Sequence, residues 1–338
     1  MIRLAVLGTG AWGINHVRAF ARLAEKGAVD VVAICDPSAD ARNRATRLAP
    51  RARVVAKPEH VLTDPDIDAV VIATPAITHA RLAQAALADG KHVLVEKPMA
   101  LSTADARDTI AAADRAGKVL MVGHLMMYHP GIERLRTMIA AGDLGTIYYL
   151  HAQRVNLGRV RRDENAMWSL APHDVSMILA LLEATPVSVS ARGGSYLQAG
   201  IEDVVFVNLR FATGIVASIQ LSWLDPRKER RLTVVGSKKM VEFDDVHPVE
   251  KLRIYDKGYD RPQTFTEYAE YLSIRNGDIH IPQVAMVEPL EVECRHFLDC
   301  VAGGRRPITD GASALEVVRV LEAADRSLTA DGAPVSLD

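Results

Sequence analysis

The first third of the chain alternates short apolar runs with amphipathic segments. Apolar runs at residues 4–7, 29–34, 69–73, 92–95 and 119–122 have the length and the β-branched content of buried strands. Alanine-rich segments at residues 12–25, 78–88 and 103–116 separate them with helical spacing. Buried strands that alternate with helices are typical of βαβ units, so this part of the chain predicts a parallel sheet.

The pattern changes after residue 123. We expect helices at residues 131–140, 172–183, 290–301 and 312–328, and strands at residues 146–155, 187–191, 204–211, 215–221 and 232–235. Gly214 and residues 236–239 have the composition of hairpin turns. The sequence therefore predicts an α/β protein with two domains. Residues 1–123 form a dinucleotide-binding domain, and residues 124–338 form an α+β domain built on a largely antiparallel open sheet.

A glycine-rich loop joins the first predicted strand to the first predicted helix. It reads Gly8-Thr9-Gly10-Ala11-Trp12-Gly13 and matches G-x-G-x-x-G in the context that the motif requires. Gly8 permits the tight turn, Gly10 lets a pyrophosphate approach the backbone, and Gly13 lets the helix pack close to the sheet. The loop predicts a dinucleotide site, with Ala11 and Trp12 as further cofactor contacts.

Asp36 ends the second predicted strand, about 20 residues beyond the last glycine of the loop. A carboxylate there accepts hydrogen bonds from the adenosine ribose and repels a 2′-phosphate, which favours NAD over NADP. Two alternatives stay open at this point. Asp36 could cap the helix that follows Ser38, and Arg42 or Arg44 could bind a 2′-phosphate.

The sequence Glu96-Lys97-Pro98 follows the predicted strand at residues 92–95. Ligands of open parallel sheets bind beyond the carboxyl ends of the strands, and a lysine there can stabilise a developing alkoxide. Pro98 is able to constrain this turn, and a cis peptide is one way to do so. The competing interpretation is a surface lysine near a turn.

Composition narrows the function classes. The net charge is −2, and no basic run favours nucleic acid or a membrane surface. No apolar run approaches the roughly 20 residues of a membrane span, and the first residues lack the features of a signal peptide. The three cysteines show no metal or redox spacing. We therefore expect a cytoplasmic protein without a metal, a membrane or a nucleic acid partner.

The glycine loop, the Thr74-Pro75 dipeptide with His79, and Glu96-Lys97-Pro98 together resemble the glucose–fructose oxidoreductase, inositol dehydrogenase and rhizopine catabolism (Gfo/Idh/MocA) family. This resemblance implies an NAD(P)-dependent oxidoreductase that acts on CH–OH groups. It implies that Lys97 is catalytic and also contacts cofactor and substrate. It further implies cofactor contacts from Thr74, Pro75, His79 and Glu96.

The family often carries Asp-x-x-x-His on the helix that faces the nicotinamide. His173 matches the histidine, and Ser169 stands at the position of the aspartate. His173 is therefore the expected base, without the carboxylate that usually orients it. Asp174 is adjacent in sequence, but neighbouring helical residues point apart. The alternative is that His173 caps a helix that begins at Pro172.

Residues 156–159, 168–174, 223–228, 275–278 and 288–290 resemble a subgroup of this family that includes UDP-N-acetylglucosamine and UDP-N-acetylglucosaminuronate 3-dehydrogenases. A diphosphate could be met by Arg159, Arg161, Arg227 and Lys228, or these residues form a solvated basic face. The other predicted substrate contacts of the subgroup are Asn156 and Trp168. The side chains His124, Tyr128 and His129 follow the last strand of the first sheet, as sugar contacts or as packing.

These features predict oxidation of the C3 hydroxyl of a UDP-N-acetyl amino sugar with NAD. The alternatives are a free-sugar or inositol dehydrogenase, an NADP-dependent 3-ketosugar reductase, and a non-catalytic cofactor sensor. An open sheet covered by helices on one face leaves the other face bare. We therefore also expect a homodimer or homotetramer.

Overall fold

The computed structural model describes residues 1–158, 160–260, 273–285 and 287–337. The strands are β1 (Ile2–Leu7), β2 (Val29–Cys35), β3 (Arg53–Val55), β4 (Ala69–Ile72), β5 (His92–Glu96), β6 (Leu120–Gly123), β7 (Ile147–Leu157), β8 (Pro186–Gly194), β9 (Val204–Phe211), β10 (Val216–Ser222), β11 (Leu224–Gly236), β12 (Met240–Asp244), β13 (Leu252–Asp260), β14 (Ser273–His280) and β15 (Val335–Ser336). The helices are α1 (Gly13–Glu25), α2 (Ala39–Thr46), α3 (Glu59–Leu62), α4 (His79–Ala88), α5 (Thr103–Ala116), α6 (Pro130–Ala140), α7 (Ala166–Leu182), α8 (Pro289–Gly303) and α9 (Gly311–Thr329).

The chain forms two compact units. The first unit holds residues 1–128 and 287–322, and the second holds residues 129–286 and 323–338. This division differs from the expected one, because residues 287–322 belong with the N-terminal part. The reason lies in α8, whose apolar side chains Leu290, Cys294 and Phe297 are buried in the core that also contains Phe20 of α1.

The first unit contains a parallel sheet in the order β3-β2-β1-β4-β5-β6. This confirms the predicted parallel sheet. The chain reverses its direction of winding between β1 and β4, and this reversal creates a crevice beyond the carboxyl ends of those strands.

The ends of α5 follow the local sequence. Ser102 Oγ accepts a hydrogen bond from Asp105 N at 3.1 Å, and Gly117 stops the helix with φ +61°.

The second unit contains a sheet in the order β14-β13-β12-β11-β7-β10-β9-β8-β15. Only β7 and β10 pair in parallel among the described strands of this sheet. The largely antiparallel second sheet is therefore confirmed. Along β9, buried Val205, Val207 and Leu209 alternate with exposed Phe206 and Asn208. One face of the sheet is therefore apolar and buried, and α7 packs against strands β7, β9 and β10.

The predicted helix at residues 172–183 begins earlier in the structure. Helix α7 starts at Ala166, and Asn165 Oδ1 accepts a hydrogen bond from Trp168 N at 3.1 Å as the N-cap. Pro172 lies inside the helix, so the expectation that the helix begins at Pro172 was wrong. Within the part of the chain that the structure describes, no helix is long and apolar enough to cross a membrane.

Candidate active site

The glycine loop follows β1 in the first unit and fits its predicted role. A Cβ atom on Gly8 would lie 2.6 Å from the carbonyl oxygen of Ala73, and Gly8 has φ +84°. A Cβ atom on Gly13 would lie 1.9 Å from the carbonyl oxygen of Gly8. Gly8 and Gly13 are therefore required by the packing of the protein itself. A Cβ atom on Gly10 would have nothing within 4 Å, so this backbone borders open space, as the approach of a pyrophosphate requires.

Asp36 is buried at the end of β2 and fixes the glycine loop. Its Oδ2 atom accepts a hydrogen bond from Thr9 N at 2.7 Å, and its Oδ1 atom accepts one from Ser38 N at 2.8 Å. Ser38, not Asp36, caps α2, since its Oγ atom accepts a hydrogen bond from Ala41 N at 3.3 Å. Arg42 donates to the backbone carbonyls of Asp36 and Pro37, at 2.7 and 3.0 Å. The guanidinium of Arg42 is thus engaged by the turn that contains Asp36.

His79 connects the ends of β4 and β5. Its ring nitrogens lie 2.8 Å from the carbonyl oxygen of Thr74 and 2.8 Å from that of Pro98, and its side chain is buried. The Lys97–Pro98 peptide is cis, which is the geometry that the sequence suggested as one option. His79 therefore stabilises the turn that carries Lys97. The cofactor contacts predicted for Thr74, Pro75 and His79 stay predictions.

Glu96 lies directly before Lys97 and joins it to the glycine loop. Glu96 Oε1 accepts a hydrogen bond from the indole N–H of Trp12 and lies 2.6 Å from His16 Nε2. Glu96 Oε2 accepts a hydrogen bond from Lys97 N at 3.1 Å. Burial raises the pKa of Glu96, but the hydrogen bonds and charges of His16, Trp12 and Lys97 together outweigh it, and the net pKa is lowered. Glu96 is therefore held as an anion beside the lysine.

Glu293 completes a buried cluster that we call the acid cluster: His16, Glu96 and Glu293. Ligand atoms of these three residues all lie within 4.8 Å of one another. Glu293 comes from α8, is fully buried, and neither carboxyl oxygen has a hydrogen-bond partner among the described residues. Burial, followed by the negative charge of Glu96, raises the pKa of Glu293 well above its ordinary value. The geometry thus favours a neutral acid next to an anionic one.

Sequence reasoning missed His16 and Glu293, although a signal was present. His16 lies on the buried face of α1 together with Val17 and Phe20. Glu293 lies on the buried face of α8, one turn from Leu290 and from Phe297. An ionisable residue on an apolar helical face is rare unless it is paired. This exception to the pattern was sufficient to single out both residues.

His124 and Tyr128 follow β6. His124 is buried, Nδ1 has no hydrogen-bond partner among the described residues, and burial lowers its pKa to about 4. The hydroxyl of Tyr128 is buried 2.9 Å from Thr309 Oγ1. His129 caps α6, because its Nδ1 atom accepts a hydrogen bond from Gly131 N at 3.0 Å. For Tyr128 and His129 the structure therefore favours the packing alternative over a sugar contact.

His173 lies on α7 in the second unit and is half-buried. Ser169 is one helical turn earlier, on the same side of the helix. Asp174 is almost fully buried and accepts two hydrogen bonds from the guanidinium of Arg154, from Nε at 2.6 Å and from a terminal nitrogen at 3.1 Å. Asp174 thus faces β7, and its carboxylate is occupied by Arg154.

The predicted substrate residues of the second unit differ in exposure. Four residues of β11 (225–228) stand opposite the single residue Asn156 of β7, and we call this segment the basic bulge. The Arg227 side chain is 81% exposed there, and Lys228 is exposed beside it. Arg161 is exposed and pairs with Glu164 at 3.0 Å. Trp168 is buried, which makes it part of the core, and Arg159 lies outside the described residues.

Profiles of known families match one segment in each of the two units. Residues 2–124 match the profile described as "Oxidoreductase family, NAD-binding Rossmann fold", and residues 132–242 match the GFO/IDH/MocA C-terminal domain. The chain belongs to the Gfo/Idh/MocA family. It is therefore an oxidoreductase with an NAD-binding Rossmann domain, as the sequence motifs predicted.

Three relatives of the Gfo/Idh/MocA family are similar over nearly the whole chain. A UDP-N-acetylglucosamine 3-dehydrogenase of Acidithiobacillus ferrooxidans is 28% identical over 94% of both chains, and a crystal form of it covers 97% of this chain and 98% of its own with a TM-score of 0.79 and 26% identity. A scyllo-inositol 2-dehydrogenase (NAD(+)) of Bacillus subtilis is 25% identical over 100% of this chain and 96% of its own. The structure of GenD2 from gentamicin A biosynthesis, in complex with NAD, is 28% identical, with a TM-score of 0.81 over 100% of this chain and 96% of its own.

Proposed function

We propose that this enzyme oxidises the C3 hydroxyl of a UDP-N-acetyl amino sugar, UDP-N-acetylglucosamine or its uronate, to a 3-keto sugar with NAD. The observation that carries the proposal is the likeness to a UDP-N-acetylglucosamine 3-dehydrogenase, which extends over 94% of both chains. A likeness of this length includes the second unit, where most of the predicted substrate residues lie. It supports a related substrate more strongly than the Rossmann motifs do, since those motifs report only the cofactor.

The basic bulge supplies a chemical reason for a nucleotide sugar. A UDP-sugar carries a diphosphate, which is recognised best by several arginine and lysine donors. Arg227 and Lys228 project from a segment that is free of strand pairing with β7, and Arg161 is exposed in the same unit. We propose that Arg227, with Arg159 and Arg161, binds the diphosphate, and that Asn156 contacts the sugar.

Lys97 and His173 divide the acid–base work in this proposal. Bound NAD would supply the hydride acceptor for C3. The ammonium of Lys97 stabilises the negative charge that develops on the C3 oxygen, and His173 accepts the hydroxyl proton. Glu96 accepts a hydrogen bond from the backbone N–H of Lys97, and His79 lies 2.8 Å from the Pro98 carbonyl, so both contacts hold the turn that carries Lys97.

We propose NAD as the cofactor, because the Asp36 carboxylate stands where an adenosine ribose is bound in this fold. The 2′-phosphate of NADP would meet this negative charge. Arg42, one of the two arginines that could offset it, already donates to two carbonyl groups. The solved complex of the relative GenD2 with NAD agrees with this choice.

An inositol or unactivated sugar is the second candidate substrate. The scyllo-inositol 2-dehydrogenase relative, which is similar over the whole chain, favours it. The two candidates separate in one experiment: incubation of the enzyme with NAD and, in turn, UDP-N-acetylglucosamine, its uronate, N-acetylglucosamine and scyllo-inositol, with NADH read by absorbance. We expect turnover with a UDP-sugar. Turnover with scyllo-inositol alone would replace the first proposal by the second.

The outer face of the second sheet supports self-association, and we propose a homodimer or homotetramer built on it. Phe206 of β9, Val216 of β10 and Tyr149 of β7 are each about half exposed, and Val216 pairs directly with Tyr149. Exposed apolar side chains on a sheet are typical of interfaces. Light scattering at micromolar concentration tests this, and a monomeric mass would exclude it.

A further inference from the structure

Arg154 and Asp174 form a buried ion pair between β7 and α7. Both side chains are almost fully removed from solvent, and the guanidinium contacts both carboxylate oxygens. Arg154 pairs in register with Leu221 of β10 and with Arg230 of β11, so its backbone is fixed on both sides by the sheet. The pair therefore ties one residue of α7 to the interior of the sheet at two points.

This attachment lies two residues after the proline inside α7. Pro172 lacks a backbone N–H, so the carbonyl of Trp168 receives no helical hydrogen bond from it, and the proline ring crowds that carbonyl. The start of the helix is set separately, because Ala166 N donates to the carbonyl of Glu202 at 2.9 Å. The direction of the helix after Pro172 thus depends on contacts of its side chains.

The residue that follows Pro172 is His173, the proposed base. Successive residues of a helix are about 100° apart, so a fixed direction for Asp174 also fixes the direction of His173. With Asp174 turned toward β7, His173 points away from the ion pair and is half-buried. The hydroxyl of Ser176 donates to the carbonyl of His173 at 2.9 Å, which adds a second local contact at this turn.

Stability alone does not require an ion pair here. Burying two charges costs desolvation energy, and apolar side chains of similar volume often replace such a pair without loss of stability. A bidentate guanidinium–carboxylate contact differs from apolar packing because its two parallel hydrogen bonds fix the orientation of the two side chains relative to each other. We propose that Arg154 and Asp174 are positioning residues, which orient α7 after Pro172 so that His173 presents its ring to the substrate hydroxyl. This inference rests on the proposed function, since it assumes that His173 is the base.

The test is a double-mutant cycle that combines the pair with His173. The double substitution Arg154→Met with Asp174→Leu keeps the core filled with apolar side chains. It removes the two-point contact that fixes the orientation of α7 after Pro172. We expect kcat with the UDP-sugar to fall by about ten- to a hundredfold, since small misplacements of a reacting group cost that much. The KM for NAD is expected to stay within about twofold of the wild type, because the predicted cofactor residues lie in the first unit. In a His173→Asn background the same pair of changes is expected to cause no further loss of kcat.

The control is Arg253→Met with Glu250→Leu, a partly exposed ion pair of the same unit with a contact of 2.7 Å. These changes are expected to leave kcat unaltered. If the apolar variant of the Arg154–Asp174 pair does not fold, Arg154→Lys provides the same test, because it keeps the charge but loses the two-point contact. Its loss of kcat is expected to disappear in the His173→Asn background.

The outcomes separate this inference from the proposed function. An unchanged kcat in the folded pair variant, or an equal additional loss in the His173→Asn background, would overturn the positioning role alone. A His173→Asn variant with wild-type kcat would instead overturn the role of His173 as the base, whatever the pair variant does.

Discussion

The acid cluster makes a quantitative prediction about stability and pH. Glu293→Gln keeps the size and the hydrogen-bonding capacity of a protonated carboxyl group but cannot ionise. The pKa of Glu293 is raised in the folded protein by burial and by the charge of Glu96. In the unfolded chain the group has an ordinary pKa of about 4.3 and is ionised at neutral pH. Folding therefore takes up a proton at neutral pH, and this uptake becomes more costly as the pH rises.

The size of the effect follows from this single proton. A group whose pKa is raised on folding lowers stability as the pH increases from its unfolded pKa toward its folded pKa. While Glu293 stays protonated in the folded state, the free energy of unfolding falls by about 1.4 kcal/mol for each pH unit. The same dependence is absent in Glu293→Gln, so the variant gains stability relative to the wild type as the pH rises.

The assay is urea unfolding at several pH values between 5.5 and 7, with the free energy of unfolding extrapolated to water. Only the difference in the free energy of unfolding between variant and wild type is used, since other groups also titrate in this range. Glu25→Gln is the matched control, because Glu25 is exposed on α1 and the chemical change is the same. We expect the difference in the free energy of unfolding between Glu25→Gln and the wild type to stay constant with pH.

A constant difference for Glu293→Gln as well would refute this reasoning. It would mean that Glu293 is ionised in the folded protein, next to the carboxylate of Glu96. Two buried anions need a compensating charge, and His16, Glu96 and Glu293 are close enough to share a divalent cation. A fall of the melting temperature on addition of a chelator would then identify the cation as the cause.

Four further substitutions test the proposed active site. Asp36→Ala is expected to narrow the preference for NAD over NADP in kcat/KM, and a wild type that uses NADP at least as well as NAD would contradict the cofactor assignment. Arg227→Ala is expected to raise the KM for a UDP-sugar by about tenfold, as the loss of one charged hydrogen bond would do, whereas equal losses with an unactivated sugar would rule out a diphosphate contact. Lys97→Met is expected to lower kcat by roughly a hundredfold or more, and His173→Asn is expected to remove the limb of the pH–rate profile near the ordinary pKa of histidine, about 6.5. If that limb persists in His173→Asn but vanishes in Lys97→Met, the lysine is the base.

Much of the first unit was predictable because its signals are local. The long strands carry continuous apolar runs, such as the buried residues 4–7 of β1, and the Ser102 and Gly117 ends of α5 depend on neighbouring residues. Strand β3 was missed, since it has three residues and two of them are exposed. The packing of α8 with the first unit was also missed, because an apolar helical face does not reveal which core it will join.

The residues of the candidate site also divide into those that local motifs predict and those that they do not. The glycine loop, Asp36 and Lys97 follow from motifs, because their chemistry depends on residues close together in sequence. The Arg154–Asp174 contact joins residues that are 20 positions apart on a strand and a helix, and no local pattern indicates it. The early start of α7 was missed because proline is common at the first position of a helix, and this preference favoured Pro172 over the Asn165 cap.

The central claim is that the enzyme transfers the hydrogen at C3 of a UDP-N-acetyl amino sugar to NAD. UDP-N-acetylglucosamine, or its uronate, carrying deuterium only at C3 of the sugar provides the most direct measurement, with NAD as the cofactor and mass spectrometry of the reduced cofactor as the readout. The account predicts that the deuterium is transferred to the reduced cofactor and that the recovered sugar is a 3-ketone. Reduced cofactor without deuterium, or no turnover of either UDP-sugar while scyllo-inositol is oxidised, would contradict it.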